Sequence, residues 1–539
     1  MSSSAASRNF FCALASVLSV ALAATAVPAL ARADDDGGRH GRVLQVGSHH
    51  GKSGGFVTIQ DAVNAARPGD WVLIGEGDYK EHGGDAWNAG VWIVTPGIHL
   101  RGMDRNRVII DGTSAGFGAC SQEPNAQDAT ARGRDGIVVY KADGVSIENL
   151  TACNFPSGSG GHGNQIWWNG GDGSGVVGMS SYRGAYLTAS STAFDSESGR
   201  GGQYGIFVSN ARGPGVVEHS YASNMADSAF YVGACADCNA VLRRLHAQNS
   251  ALGYSGTNAG GHLVIEESEW DLNRSGIVPS SLANDDPPPP QDGACPDHSG
   301  RSCTLIQRNY VHDNNNPNTP AVGLTAGSVI GSGIDLTGGR NNTVRDNLIV
   351  RNGSYGVLVN DYPDGSLPAV AAWCQGGTQA FAPPPPFDTI IAPLVPCWFF
   401  ATGNRIEHNR FADNGGFGNP SNGDLANAAL PSGNTNCFRH NRDHKLGQPT
   451  TFPVGLQDPA GAGTCGAAWN PDFGQITVLF LDVLCAAFGP ASGACVTGGP
   501  GYPQSTALQL LPIPKEQGME NPCAGVPRNS WCPKEREER

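Results

Sequence analysis

The chain has 539 residues, 75 of them glycine, with a charged fraction of 15% and a formal net charge of −14. That balance excludes a nucleic-acid binder, which needs clustered Lys and Arg, and it argues against polyanionic glycans unless a local basic face or bound Ca²⁺ offsets the field. Abundant glycine with little charge suits short strands and tight turns, and a solenoid, which grows by adding coils, escapes the usual expectation of several domains at this length.

Residues 1–33 read as a secretory signal: Arg8 precedes an apolar run from Phe10 to Leu30, which closes on Ala31-Arg32-Ala33. Its removal takes away two cations, so −14 becomes −16, and it removes Cys12, so 15 cysteines become 14. An even number in a secreted chain suggests disulfides. The simplest set joins sequence neighbours: Cys120 with Cys153, Cys235 with Cys238, Cys295 with Cys303, Cys374 with Cys397, Cys437 with Cys465, Cys485 with Cys495, and Cys523 with Cys532. The Cys235-Ala-Asp-Cys238 pair reads as a corner staple, since no second C-x-x-C accompanies it. The expectation is an extracellular monomer with no membrane span.

Val43–Val46 reads as a first strand, followed by an amphipathic helix and a second strand, Trp71–Ile74. In the helix Thr58 and Asp61 have capping-box spacing, Ile59, Ala62, Val63 and Ala66 share one face, and Arg67-Pro68-Gly69 ends it. A short helix there would cover the open end of the first coil.

The run Phe56 to Glu81 resembles the N-terminal entry of the pectate-lyase-like superfamily of right-handed parallel β-helix proteins, which includes pectin esterases and many polysaccharide lyases. The resemblance extends over about residues 43–415 and implies an all-β, right-handed, single-stranded parallel β-helix, here residues 34–430, with an N-terminal cap helix and an irregular C-terminal cap over 431–539. It carries no reaction with it, because function lives in sites grafted onto a fold.

Strand-like runs continue at Ile98–Leu100, Val108–Asp111, Ile137–Val139, Val145–Glu148, Gln165–Trp168, Val176–Val177 and Ala185–Leu187. The pattern is regular in Gly205-Ile206-Phe207-Val208, Ala229-Phe230-Tyr231-Val232 and Gly276-Ile277-Val278-Pro279. Ile206 to Phe230 is 24 residues, and Phe230 to Ile277 is 47, two periods with one residue missing. Strand side chains alternate, so Ile206, Phe230 and Ile277 form an inward column, with Val208, Val232 and Pro279 in the next. Asn224, Asn249 and Asn273 sit at corners, where Asn tolerates left-handed backbone and can hydrogen-bond up a ladder. Insertions near 280–302 and 363–398, each with four consecutive prolines, are outward loops. Between and after them Leu305–Asn309, Thr343–Asn347 and Arg405–Asn409 repeat the coil, each with a second Asn five residues on: Asn314, Asn352 and Asn414. Beyond residue 430 the repeat fades. Ile476–Phe488, too short for a bilayer and broken by Asp482, packs over the last coil, and 534–539 is a solvated tail.

The outward middle positions are Trp167, Phe207, Tyr231, Val278, Asp335 and Leu358. Sugar rings stack on aromatic faces, so Trp167, Phe207 and Tyr231 are candidate glycan contacts, unless an inserted loop covers them as a satellite core. Asp335, with Asp361 one coil on and Arg345 (like Arg340) nearby in sequence, is the candidate catalytic set. A lyase needs a base and a cation beside a uronate carboxylate, with Ca²⁺ as the implied cofactor, whereas a hydrolase needs two carboxyls at a set separation. An outward Asp on a strand is ordinarily solvated surface.

Family signatures are missing: the paired-Asp and Arg-Ile-Lys motifs of polygalacturonases, the catalytic set of pectin esterases and the Asp-Pro-His of mannuronan epimerases. Gly161-His162-Gly163 is similar to the polygalacturonase His motif but lacks its aspartates, so His162 reads as an exposed loop residue. Copper handling, seen in some periplasmic β-helix proteins, would favour clustered His and Met; the histidines are scattered apart from His49-His50. No metal ligands are assigned. The expectation is a protein acting on or binding extracellular polysaccharide, as lyase or hydrolase, with a non-catalytic glycan-binding or matrix protein as the alternative.

Overall fold

The computed structural model describes residues 41–83, 88–283, 303–367, 374–378, 380, 395–429, 435–445, 447–457, 465, 473–488, 495 and 501–533. Residues 1–33, expected to be a signal, both proline runs and residues 534–539, expected to be a tail, lie outside them. Nearly all strand pairing is parallel, in a 21-stranded and an 11-stranded sheet. A typical coil gives two short strands to the first, as in Ala240–Arg243 and His246–Gln248, and one to the second, Leu252–Thr257. This is the parallel β-helix expected from the Phe56–Glu81 entry.

The inward column of the second sheet runs Ile166, Ile206, Phe230, Tyr254, Ile277, Ile334, Val357, Leu425 in strict register. Tyr254 fills the coil left open in the 47-residue interval. One expected strand is absent: Val176 and Val177 lie in a loop, Val176 is exposed, and the strand starts at Met179. Gly173 and Gly175, both with positive φ, turn the chain out of the ladder there.

A glycine precedes several inward residues because the coils approach closely at that point. A Cβ on Gly333 would lie 2.7 Å from the Gly356 carbonyl oxygen. Gly333→Ala should therefore lower unfolding stability by roughly 1–3 kcal/mol; an unchanged urea midpoint would show that the spacing relaxes freely.

Asparagine stacks in ladders along the corners, Nδ2 of one donating to Oδ1 of the next. One runs Asn309, Asn347, Asn409, Asn441 at 2.9–3.0 Å; another runs Asn273, Asn314, Asn352, Asn414 at 3.0–3.1 Å. In these the left-handed residue is not the asparagine but the one before it: Arg308, Asp346 and His408 have φ of 54–58°. The turn points that residue outward and leaves the Asn side chain free to reach inward. At Asn224 and Asn249, by contrast, the ladder residue itself has positive φ.

Helix α1, Ile59–Ala65, begins where Thr58 Oγ1 accepts from Asp61 N at 3.1 Å. The other exposed donors of the first turn, Ile59 N and Gln60 N, are taken by the buried Glu81 carboxylate at 2.7 and 3.1 Å. Its Ile59, Ala62 and Val63 join the same core as Val46, Val72 and Ile93. Helix α2, Phe473–Phe488, touches the last coil at Thr451–Phe452 and continues over the outer face of the second sheet, burying Leu479, Cys485 and Ala486 against Leu358 and Ala426. Among the described residues no helix is long and apolar enough to cross a membrane.

Residues 501–533 run back along the solenoid as a strap and close the exposed edges of the asparagine corners. Thr506 N donates to Asn318, Leu511 N to Asn224, Glu516 N to Asn106 and Met519 N to Asn149, at 2.8–2.9 Å. Gln45 then bonds Asn529, and Trp531 Nε1 donates to Lys52 O at 3.0 Å.

Six of the expected disulfides are formed: 120–153, 235–238, 374–397, 437–465, 485–495 and 523–532. Cys303 is also disulfide-bonded; Cys295 lies outside the described residues.

Candidate functional site

Alternation along each strand of the second sheet puts the residue after the inward one on the outer face. Register stacks these outward residues as Trp167, Phe207, Tyr231, Ser255 and Val278, then Asp335, Leu358 and Ala426. At the C-terminal end α2 covers Leu358 and Ala426; over the remainder a cavity of about 1130 Å³ is left. The stripe is its floor. Ile476, Phe480, Leu484 and Ala487 of α2 form one wall, with Leu324 beside them, and Asn360–Pro363 with Trp398 lines another part. Tyr362–Asp364 pairs antiparallel with Cys397–Phe399, so the 363–398 insertion starts and ends as a ribbon.

The aromatic residues are held by one another. Trp167 and Phe207 stack at 5.1 Å and 13°, Tyr204 stacks on Phe207 at 4.3 Å, and Tyr231 meets Phe207 edge-on. Stacking of this kind uses aromatic face internally, so the broad row of faces expected for sugars is only partly offered. Trp167 Nε1 donates to Ser209 Oγ at 3.0 Å, and Tyr231 is 5% exposed.

Asp335 is not solvated surface. It is 4% exposed, and burial pushes its carboxyl up to about 7 against a small lowering by Thr337. The Thr337 hydroxyl lies 2.8 Å from Asp335 Oδ1 and 3.3 Å from Asn360 Oδ1. It has one proton for two acceptors, and a protonated Asp335 supplies the second. Asp361 lines the same cavity, its Oδ1 accepting from Ala401 N at 2.8 Å.

Arg345 is not brought to this site. Gly338 and Asn341, both with positive φ, turn the chain between sheets, and Arg345 lies on the 21-stranded sheet with its guanidinium on Gln307 Oε1 at 2.9–3.1 Å. Arg340 donates to Phe400 O at 3.1 Å and is likewise not a lining residue. Among the described residues the lining includes four Asp side chains, Asp172, Asp227, Asp335 and Asp361, with Asn169, Asn210 and Asn360, and no Lys, Arg or His.

Asp227 escaped the sequence reading because it sits in the turn before a strand, where Asp is common. Burial raises its pKa even though Ser228 Oγ donates to it at 2.6 Å and Tyr204 also bonds it. His162 too differs from expectation: its side chain is 10% exposed and Nδ1 lies 2.7 Å from the fully buried Asp135 carboxylate. Ile137 pairs with Ile166, so the preceding coil sets Asp135 under the Gly-rich loop.

No protein-family model and no curated protein matches the chain. Similar solved structures include the Azotobacter vinelandii mannuronan C-5 epimerase AlgE4 A-module, at 13% identity over 71% of this chain and 88% of that one, TM-score 0.40. An alginate lyase from Paenibacillus sp. str. FPU-7 matches at 13% over 76% and 97%, TM-score 0.33. Erwinia chrysanthemi pectin methylesterase PemA matches at 16% over 50% and 79%, TM-score 0.28. All three TM-scores are below 0.5, and the fold assignment rests on the strand register itself.

Proposed function

We propose that this is a secreted protein that binds an uncharged glycan in the cavity over the second sheet. The observation that carries this is the lining: Asp and Asn side chains, which bind sugar hydroxyls in pairs, beside Trp167 and Phe207, with no cation among the described residues. A polyuronate brings a carboxylate with every sugar, and among the described residues the lining offers no cation to neutralise it, the Lys141 ammonium beside the cavity being already held by Asp172 at 2.5 Å. Among the described residues a lyase mechanism also lacks its neutralising cation here, since Arg345 lies on the other sheet.

Hydrolysis would need two carboxyls about 5–9.5 Å apart. Asp227 and Asp335 are three coils apart, roughly 14 Å along the axis. Asp361, opposite position 338 and one coil on, is roughly 11 Å from Asp335 between backbone positions, and it is the partner whose separation comes nearer an inverting pair. A second reading, a ligand with a larger apolar body, is favoured by the α2 wall.

Isothermal titrations with neutral oligosaccharides, polygalacturonate, alginate and an alkyl glycoside separate these readings, with reducing-end and unsaturated-product assays on the same panel. Binding of neutral sugars, weakened at least 10-fold in Trp167→Ala, is expected, with no binding of the two polyuronates. Preference for polyuronate would overturn the proposal, and sugar release abolished by Asp335→Asn would convert it from binding to hydrolysis.

A further inference from the structure

Histidines far apart in sequence come to one patch of the opposite sheet. The strands His246–Gln248, Glu269–Asp271 and Tyr310–His312 stack in register, His246 against Glu269 and Asp271 against His312. Residues two apart on a strand share a face, so all four side chains project from one patch of the sheet. His246 Nε2 is 2.8 Å from Asp271 Oδ1, and His312 Nε2 is 3.0 Å from Glu269 Oε1. Ligand atoms of His246, Glu269 and Asp271 all lie within 4.8 Å of one another.

We propose that this patch binds one divalent transition cation of the zinc class through His246, Glu269, Asp271 and His312. Two imidazole nitrogens and two carboxylates form a donor set suited to Zn²⁺ and unlike the six to eight oxygens of Ca²⁺. Tetrahedral Zn²⁺ with bonds near 2.0–2.2 Å spaces its ligand atoms about 3.3–3.5 Å apart, within the 4.8 Å that contains the ligand atoms of His246, Glu269 and Asp271, and His312, whose Nε2 is 3.0 Å from Glu269 Oε1, would supply the fourth.

The surrounding residues orient these ligands as the outer shell of a metal site does. His312 Nδ1 lies 2.7 Å from the Asp313 carboxylate, which Arg351 holds at 2.5 Å. With Nδ1–H given to Asp313, Nε2 presents its lone pair toward Glu269, and a cation between the two relieves the facing of two acceptors. Gln248 Nε2 donates to Asp271 Oδ2 at 2.9 Å, leaving Oδ1 for the metal, and Gln248 itself accepts from Tyr221 OH at 3.2 Å. Access is open, because the Glu269 side chain is 46% exposed and that of His246 31%. The other cluster of potential ligands, Asp111 with Cys120 and Cys153, has both sulfurs in a disulfide and offers no thiolate.

Isothermal titration of the full chain with ZnCl₂, and the visible d–d absorption of added Co²⁺, test this independently of any glycan. Wild type should take up one Zn²⁺ and give the intense spectrum of four- or five-coordinate Co²⁺. Both signals should be lost in His246→Gln/His312→Gln, affinity should fall about 10-fold in Asp313→Asn, and both should persist in His408→Gln/His440→Gln, a second histidine pair 3.3 Å apart. Asp271→Asn, nearly isosteric, provides the same loss should the double variant fold poorly, with circular dichroism as the check. Absence of Zn²⁺ uptake by wild type, or uptake that follows His408 and His440 instead, would overturn the assignment.

Discussion

Asn347→Ala is expected to lower the unfolding free energy by on the order of 3–5 kcal/mol. The side chain, 1% exposed, accepts from Asn309 N at 2.9 Å and Asn309 Nδ2 at 3.0 Å, and it donates to Ile306 O at 3.0 Å and Asn409 Oδ1 at 2.9 Å. Alanine removes all four bonds, and each buried group left unsatisfied costs about 1–3 kcal/mol. Asn347→Leu separates volume from hydrogen bonding: it fills the space and satisfies nothing. A urea-unfolding loss below about 1 kcal/mol in the Leu variant would mean that the ladder contributes packing only. Asn347→Asp keeps the acceptors but loses both donations and sets a carboxylate against Asn409 Oδ1, so it should be as damaging as Ala at neutral pH.

Asp335→Asn should change the pH dependence of stability. Unfolded, Asp335 ionises near its ordinary 3.8; folded, burial raises it to about 7. Between those values the folded chain holds a proton that the unfolded chain has released. The stability tied to Asp335 is therefore complete below pH 4 and lost as pH rises through 7. Three pH units correspond to on the order of 4 kcal/mol. Asp335→Asn should match wild type at pH 4 and exceed it at pH 8, and thermal unfolding across that range provides the measurement. Parallel curves for the two proteins would show that Asp335 does not titrate out of step. Asp227 has the same direction of shift, so the difference between variants, not the wild-type curve alone, isolates Asp335.

Much of the fold was legible because the coil repeats its chemistry. Ile206, Phe230, Ile277, Ile334 and Val357 announce one column, and the column carried Trp167, Phe207, Tyr231 and Asp335 to one face correctly. The coil at Leu252–Thr257 went unread because Gly253, Ser255 and Gly256 flank its one large inward residue, Tyr254, so no β-branched signal survives. Arg345 misled for a different reason: proximity in sequence means little where the chain turns a corner within six residues. The α2 wall, Asp227 and the histidine patch were illegible because each depends on which turn of the solenoid meets which. His246 and His312 are separated by two coils of unequal length, one holding the 280–302 insertion, and no fixed spacing joins them. The strap has no periodicity at all, because its backbone is bonded by ladder side chains and not by a sheet.

Solenoid coils contact only their neighbours, so such a fold can ordinarily be completed in the order in which it is synthesised. Here the first coil is an exception: the bond from Gln45 Nε2 reaches Asn529 Oδ1, 484 residues away. During translation at about 5–20 residues per second, that edge waits tens of seconds for its partner. The strap thus turns a stack that could form and fray coil by coil into one whose two ends are finished together, giving a chain of local contacts a late, long-range closing step.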